Sequence, residues 1–141
     1  MNASEFPRLT PENHRWTSPD SVIYNCIAWA AGDMEHWWQP GIYWPIPAPA
    51  QDHGIGVLGE MFKALGYQAC ELDMSIESDV DKVALYGSSL YYTHAARQLP
   101  NGKWTSKLGK GEDIEHDTPN DVAGGVYGEV VQIMKRIRQA Q

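Results

Sequence analysis

The chain has 141 residues, of which 43% are hydrophobic and 21% are charged, and both values are typical of a soluble globular domain. Its formal net charge of -7 argues against sequence-independent nucleic-acid binding, because that mode depends on Lys and Arg side chains that neutralise phosphates. No segment approaches the roughly 20 apolar residues that span a bilayer, and no N-terminal pattern indicates a secretory signal. We therefore expect one cytoplasmic domain over residues 1–141 with no nucleic-acid or membrane partner; leaderless export stays open.

A short helix that begins with a cysteine is the most informative feature of the N-terminal half. Asn25 is a favourable N-cap, residues 26–31 suit a short buried helix, and Gly32 supplies a left-handed stop. Cys26 then lies in the first turn, where unpaired N–H groups and the helix dipole favour a thiolate. The placement predicts a nucleophile, and it competes with the simpler interpretation of an inert, buried cysteine.

The segments on either side of this helix lack regular periodicity. Residues 1–21 are polar and contain three prolines, which predicts an irregular arm anchored by Trp16. Residues 37–49 are rich in aromatic side chains and carry four prolines within ten residues, which excludes a helix or a central strand. This aromatic loop either fills the core or walls a substrate groove, and the candidate groove side chains are Trp37, Trp38, Tyr43, Trp44 and the later Trp104.

The remaining pattern changes from helical to strand periodicity. Apolar residues at helical spacing predict a helix from Ile55 to Leu65 that ends at Gly66. A short strand is expected at 67–72, and from Lys82 onward period-two alternation predicts strands at 82–86, 90–99, 103–108 and, more weakly, 114–116. Residues 127–137 fit either a strand or a helix, and their β-branched side chains favour the strand. Leu99-Pro100-Asn101-Gly102-Lys103 is a strong hairpin signal, and Thr118-Pro119 predicts a capped helical turn. We therefore expect an α+β fold in which the helical part, residues 22–66, packs on an antiparallel sheet built from residues 67–141.

A cysteine nucleophile needs an oriented base, and His94 is the best candidate among five histidines. It alone falls near the centre of a predicted strand, which holds a side chain more rigidly than a loop. If Leu99 pairs with Lys103 across the hairpin, His94 shares a face of the sheet with Ser106 and Gln98. The orienting group is open among Ser106, Gln98, Asp113 and Glu115.

These residues carry a family resemblance. The order Asn25-Cys26 on a helix, followed by Thr93-His94-Ala95 on a strand of a later antiparallel sheet, resembles the papain-like cysteine hydrolases. It is most similar to the compact bacterial branch that contains the NlpC-type cell-wall peptidases, and residues 94–109 resemble uncharacterised bacterial proteins of that branch. The resemblance covers roughly residues 22–109. It implies Cys26 as nucleophile and His94 as base, with Ser106 as the nearest match to the family's polar third residue.

The resulting functional hypothesis is a thiol hydrolase or acyl-transfer enzyme that acts on a peptide-like bond, of a peptide or a protein, without a cofactor. His94 would deprotonate Cys26, and the Cys26 N–H and a nearby donor would bind the oxyanion. Asn25 is a candidate for that donor, although capping the helix is its favoured role, and Gln98 is a candidate supporting residue. The alternative is a non-catalytic binding or immunity-type module that uses its Trp/Tyr surface. A third hypothesis places a metal at Asp113, Glu115 and His116, although such charged turns are usually solvated edges and we expect no metal.

Two cationic side chains alternate to the sheet face opposite His94. Arg97 and Lys107 are expected to form ion pairs with acids such as Glu112 or Asp113 rather than to bind substrate. Cys70 lies in a short predicted strand without a capping context and is expected to be a core residue.

Overall fold

The computed structural model describes residues 5–18, 23–48, 53–88, 90–108 and 112–138. Within these ranges all strands belong to one antiparallel sheet with the order β1-β6-β5-β4-β3-β7-β2. No helix in the described ranges has the length and apolar character needed to cross a membrane. The elements in chain order are β1 (His14–Ser18), α1 (Cys26–Ala31), α2 (Ile55–Ala64), β2 (Gln68–Cys70), β3 (Val80–Gly87), β4 (Tyr92–Gln98), β5 (Trp104–Lys107), β6 (Asp113–His116), a 3-10 turn (Pro119–Val122) and β7 (Glu129–Ile137).

The expected α+β, papain-like arrangement is wrong. The two α-helices have only six and ten residues, while seven strands form the sheet, so the described chain is mostly β. The arm expected to be irregular supplies β1, which pairs with β6 at one edge of the sheet. Trp16 is 66% exposed and does not anchor this arm; Phe6 is buried instead. An edge strand with one neighbour and mostly exposed side chains gives almost no periodic signal.

Most local predictions are confirmed. Helix α1 begins after Asn25, whose Oδ1 accepts a hydrogen bond from the Ala28 N–H at 3.0 Å, and it ends at Gly32 with φ of 87°. In the β4–β5 hairpin the Leu99 N–H donates to the Lys103 carbonyl at 2.7 Å. The predicted register follows, with Arg97 opposite Thr105 and Gln98 opposite Trp104.

Both faces of the sheet are covered, and this decides where each candidate side chain lies. One face, the helix face, is buried by α1, α2 and the aromatic loop, and its core contains Cys26, Ile27, Trp38, Leu58, Met61, Phe62, Val83, Leu85, Ala95 and Met134. The opposite face, the turn face, is buried by residues 5–9 and the 3-10 turn, and its core contains Phe6, Ala84, Tyr86, Ala96, Trp104, Ile114, Val122, Tyr127 and Ile133. Successive residues of a strand point to opposite faces, so the side chains of His94 and Ala95 lie on different sides of the sheet.

Candidate functional site

Cys26 is buried on the helix face, with 8% of its surface exposed. Burial raises the pKa of its thiol to about 11. Backbone hydrogen bonds from Ala95, Ile27 and Cys26 itself, and the positive charge of Lys107, act in the opposite direction without overcoming that effect. The N–H groups of the first helical turn therefore do favour the thiolate, as predicted, but desolvation is the larger influence and the sulfur stays protonated at neutral pH.

His94 lies on the turn face and is fully buried. Its ring stacks on Tyr127 with centroids 3.9 Å apart and planes inclined by 5°. Its Nε2 lies 2.9 Å from Ser106 Oγ, which in turn lies 2.8 Å from His116 Nε2. His116 Nδ1 lies 2.8 Å from the Thr118 carbonyl.

The Thr118 carbonyl, which ends this series of hydrogen bonds, determines which ring nitrogens carry a proton. A carbonyl only accepts, so His116 Nδ1 carries a proton, and the neutral ring then accepts at Nε2 from the Ser106 hydroxyl. The Ser106 oxygen accepts from His94 Nε2–H, which leaves His94 Nδ1 as a bare acceptor. Within the described residues this buried Nδ1 has no hydrogen-bond partner. Burial lowers the pKa of both rings, that of His94 well below its ordinary value.

The sheet separates the predicted nucleophile from the predicted base. Cys26 packs with Ala95 on the helix face, whereas the His94 ring contacts Tyr86 and Tyr127 on the turn face. The predicted proximity of His94 and Ser106 is present. The structure therefore brings together the imidazole and its neighbour but not the thiol.

The other candidate orienting residues do not contact His94. Asp113 lies on the helix face, where its Oδ2 accepts from the Tyr24 hydroxyl at 2.7 Å and from the Ser18 hydroxyl. Glu115 accepts from Arg15 Nε at 2.7 Å. Gln98 donates to the Met74 carbonyl at 3.0 Å and to the Gly102 carbonyl at 3.4 Å.

The residues proposed for a metal site do not converge. Strand alternation places Asp113 and Glu115 on the helix face and His116 on the turn face. In the parts of the chain that the structure describes, no group of three or more His, Cys, Asp or Glu side chains is arranged to hold a metal ion.

Asn25 connects helix α1 to the aromatic loop. Its Oδ1 also accepts from the Trp38 N–H at 3.1 Å, and its Nδ2 donates to the Trp38 carbonyl at 2.8 Å. The N–H groups of Ala28 and Trp38 together occupy both lone pairs of the amide oxygen. The side chain therefore positions Trp38, while its predicted oxyanion role stays a prediction.

Six rings from separate segments form a continuous series of contacts, which we call the aromatic chain. Successive ring centroids lie 4.2, 5.6, 6.5, 6.3 and 5.7 Å apart. The rings in order are His36, Tyr43, Trp38, Trp44, Tyr92 and His53. Two of the expected groove residues lie outside it: Trp37 donates from Nε1 to Gln39 at 3.1 Å, and Trp104 is buried on the turn face with 1% exposed.

A cavity of about 520 Å³, which we call the arginine cleft, lies beside the end of α1. It was not predicted from the sequence. Arg97, Arg136, Arg138, Tyr67 and Asp81 line it. Arg136 Nε and Arg138 Nε donate to Asp81 at 3.2 and 2.9 Å. The basic residues within 135–138 are a sequence signal for a positively charged site. Their proximity to Arg97 could not be predicted, because it depends on β3 lying between β4 and β7 in the sheet.

Arg97 does not form the ion pair that the sequence predicted. Its guanidinium lies 5.5 Å from the Trp29 ring. Among the described residues it makes no salt bridge, and no side-chain hydrogen bond from it is present. Burial lowers the pKa of Arg97, yet a guanidinium keeps its charge at neutral pH.

A seven-stranded antiparallel sheet, buried on both faces and carrying an arginine-lined cleft, defines a mostly-β domain. The chain belongs to a family described as a domain of unknown function (DUF7689), whose sequence profile matches residues 15–135. No curated protein matches the chain. No solved structure matches it either.

Proposed function

We propose that this domain is a non-catalytic binding module and that the aromatic chain is its contact surface. The observation that carries the proposal is the burial of Cys26 and His94 on opposite faces of the sheet. A general base must lie within hydrogen-bond reach of the proton that it removes, directly or through one water. This geometry therefore favours binding over the thiol hydrolase that the sequence also suggests.

The acid–base properties of the two side chains favour the same choice. With a thiol pKa of about 11, only about one molecule in 10⁴ would carry a thiolate near neutral pH. His94 has a pKa lowered by burial, and its bonded Nε2 is directed to Ser106. Neither side chain has the tuning that nucleophilic catalysis requires.

The exposed end of the aromatic chain, at Tyr43, has the properties of a preformed contact surface, with the buried Trp38 behind it. The loop that carries it is closed by two backbone hydrogen bonds between Gln39 and Tyr43, at 2.9 and 3.1 Å. The Asn25 side chain fixes Trp38 through hydrogen bonds to its backbone N–H and carbonyl. Tyr43 is 38% exposed and its neighbour Ile42 is 66% exposed. Rigid aromatic side chains supply a large contact area at low entropic cost and dominate protein interfaces. A peptide or protein segment with apolar side chains is the partner that such a surface fits.

Peptides selected by phage display on the immobilised domain will test this proposal. The Tyr43→Ala variant should bind the selected peptides at least about tenfold more weakly, because it removes an exposed ring at the end of the aromatic chain. Isothermal titration calorimetry would measure the affinities.

Trp16→Ala is the matched control, since Trp16 is an exposed aromatic residue on strand β1, outside the aromatic chain. It and Cys26→Ala should leave the affinities unchanged. Two outcomes would contradict the proposal. One is that the selected peptides bind Tyr43→Ala as tightly as the wild type, and the other is that the wild type cleaves them while Cys26→Ala does not.

A further inference from the structure

We propose that the arginine cleft binds a small ligand through an oxyanion, either a carboxylate or a phosphate. The cleft shares no residue with the aromatic chain, so this site goes beyond the proposed function. Its volume of about 520 Å³ lies within the range of small-molecule sites.

The first argument is the state of Arg97. A guanidinium has five N–H donors and no acceptor, and none of the salt bridges or side-chain hydrogen bonds within the described residues satisfies them. The residue is partly buried on β4 and lines the cleft. Leaving a charged donor partly desolvated and unpaired is costly.

The second argument is the contact that holds the Arg97 guanidinium. Trp29 lies against it at 5.5 Å from the ring centroid. The Trp29 ring is itself fixed, because its Nε1 donates to Thr105 Oγ1 at 2.9 Å. A cation–π contact does not consume the N–H donors of a guanidinium. Arg97 is thus held by a ring contact while its N–H donors have no acceptor among the described residues, which suits bidentate binding of a carboxylate or phosphate.

The third argument is the charge around the cleft. Arg97, Arg136 and Arg138 contribute three guanidinium groups, and Asp81, the one acid among the described residues that line the cleft, neutralises one of them. The chain as a whole carries a net charge of -7, so this excess of positive charge is local. A concave, partly desolvated site of one sign attracts ligands of the other sign.

Tyr67 supplies a neutral donor beside these charges. It lines the cleft and is 3% exposed. The Arg136 guanidinium lies over its ring at 4.5 Å from the centroid. Burial raises the pKa of the Tyr67 hydroxyl, so the group stays protonated and can donate. No acceptor for this hydroxyl occurs in the described part of the chain.

Calorimetric titration of the full chain with inorganic phosphate and, separately, with acetate at constant ionic strength tests the site. We expect saturable binding of at least one probe, weakened at least about tenfold in Arg97→Gln, because the fork that holds both oxygens is lost. Tighter binding of phosphate would assign a phosphate ligand, and tighter binding of acetate a carboxylate ligand.

Lys63→Gln is the charge-matched control, because Lys63 is exposed on α2, pairs with Glu60 at 3.2 Å and does not line the cleft; its affinities should equal those of the wild type. Thermal unfolding without probe separates binding from folding. Arg97→Gln should unfold at or only slightly below the wild-type temperature, since the contact with Trp29 is lost but no acceptor among the described residues loses a hydrogen bond. Absence of saturation with both probes, or equal affinity in Arg97→Gln, would overturn the proposal whatever the peptide experiments show.

Discussion

Acidification from about pH 7 to about pH 5 will lower the free energy of unfolding, and His94 and His116 will account for most of the loss. Burial lowers the pKa of both rings in the folded state, whereas an unfolded histidine titrates near pH 6.5. Below that pH the unfolded chain binds more protons, so stability falls with pH by about 1.4 kcal/mol per pH unit for each ring that stays neutral. Above about pH 6.5 their contribution is fully present.

Urea unfolding across this pH range will measure the effect. His94→Gln should reduce the slope by about one proton, because the substituted side chain does not titrate. His36→Gln is the control, since the His36 side chain is 45% exposed and lies outside the buried hydrogen bonds of His94, Ser106 and His116; the wild-type slope should persist. The account would be contradicted if the free energy of unfolding did not change between about pH 6.5 and 5, or if His94→Gln kept the wild-type slope. Either result would mean that the folded protein protonates these rings as readily as the unfolded chain does.

Gly125→Ala will destabilise the domain by about 3 kcal/mol. A Cβ at Gly125 would lie 2.0 Å from the Glu5 carbonyl oxygen and 2.8 Å from Pro7 Cδ. The first of these is a backbone atom, so the segment must move away from the turn face. Phe6, which packs on Tyr127 at 5.4 Å between centroids, would then lose its burial, and the loss approaches that of a Phe→Ala substitution in a core.

Gly59→Ala is the matched control. A Cβ there meets nothing within 4 Å, and the position lies inside α2, so alanine should stabilise by up to about 1 kcal/mol. In the Gly125→Ala background, Phe6→Ala should cost little more, because both substitutions release the same segment. Fully additive losses in chemical denaturation would mean that residues 5–9 stay docked.

The local elements could be predicted because their signals are local. Asn25 and Gly32 set the ends of α1 through a side-chain cap and a positive φ, and the Leu99–Lys103 turn sets the register of β4 and β5. Strand β1 was missed because its side chains, including Trp16, are mostly exposed and it has a single neighbour.

The fold class was missed for a different reason. The order of the sheet places β7 between β3 and β2, and β1 at the opposite edge, and these are long-range pairings that adjacent residues do not encode. The sequence also does not say which sheet face α1 covers. The register correctly put His94 beside Ser106, but the face that receives Cys26 is the other one.

The chemistry of the site depends on burial, which is a tertiary property. The first turn of α1 predicted an acidic thiol at Cys26, but desolvation raises its pKa instead. Arg97 was expected to find an acid, but the nearby Asp81 is bound by Arg136 and Arg138. In both cases the residue type suggested a role, an acidic thiol for Cys26 and an ion pair for Arg97. The buried surroundings of each side chain gave the opposite outcome.

The reactivity of Cys26 toward iodoacetamide tests the central claim that thiol and imidazole are buried on opposite faces. Cys70→Ser leaves Cys26 as the only thiol, since the chain has two cysteines. We predict alkylation near neutral pH at least about 100-fold slower than in the urea-unfolded chain, with the same rate in a Cys70→Ser, His94→Ala double variant, because the sulfur is buried and protonated. Rapid alkylation near pH 6 that disappears with His94→Ala would contradict the account and restore the thiol–imidazole pair.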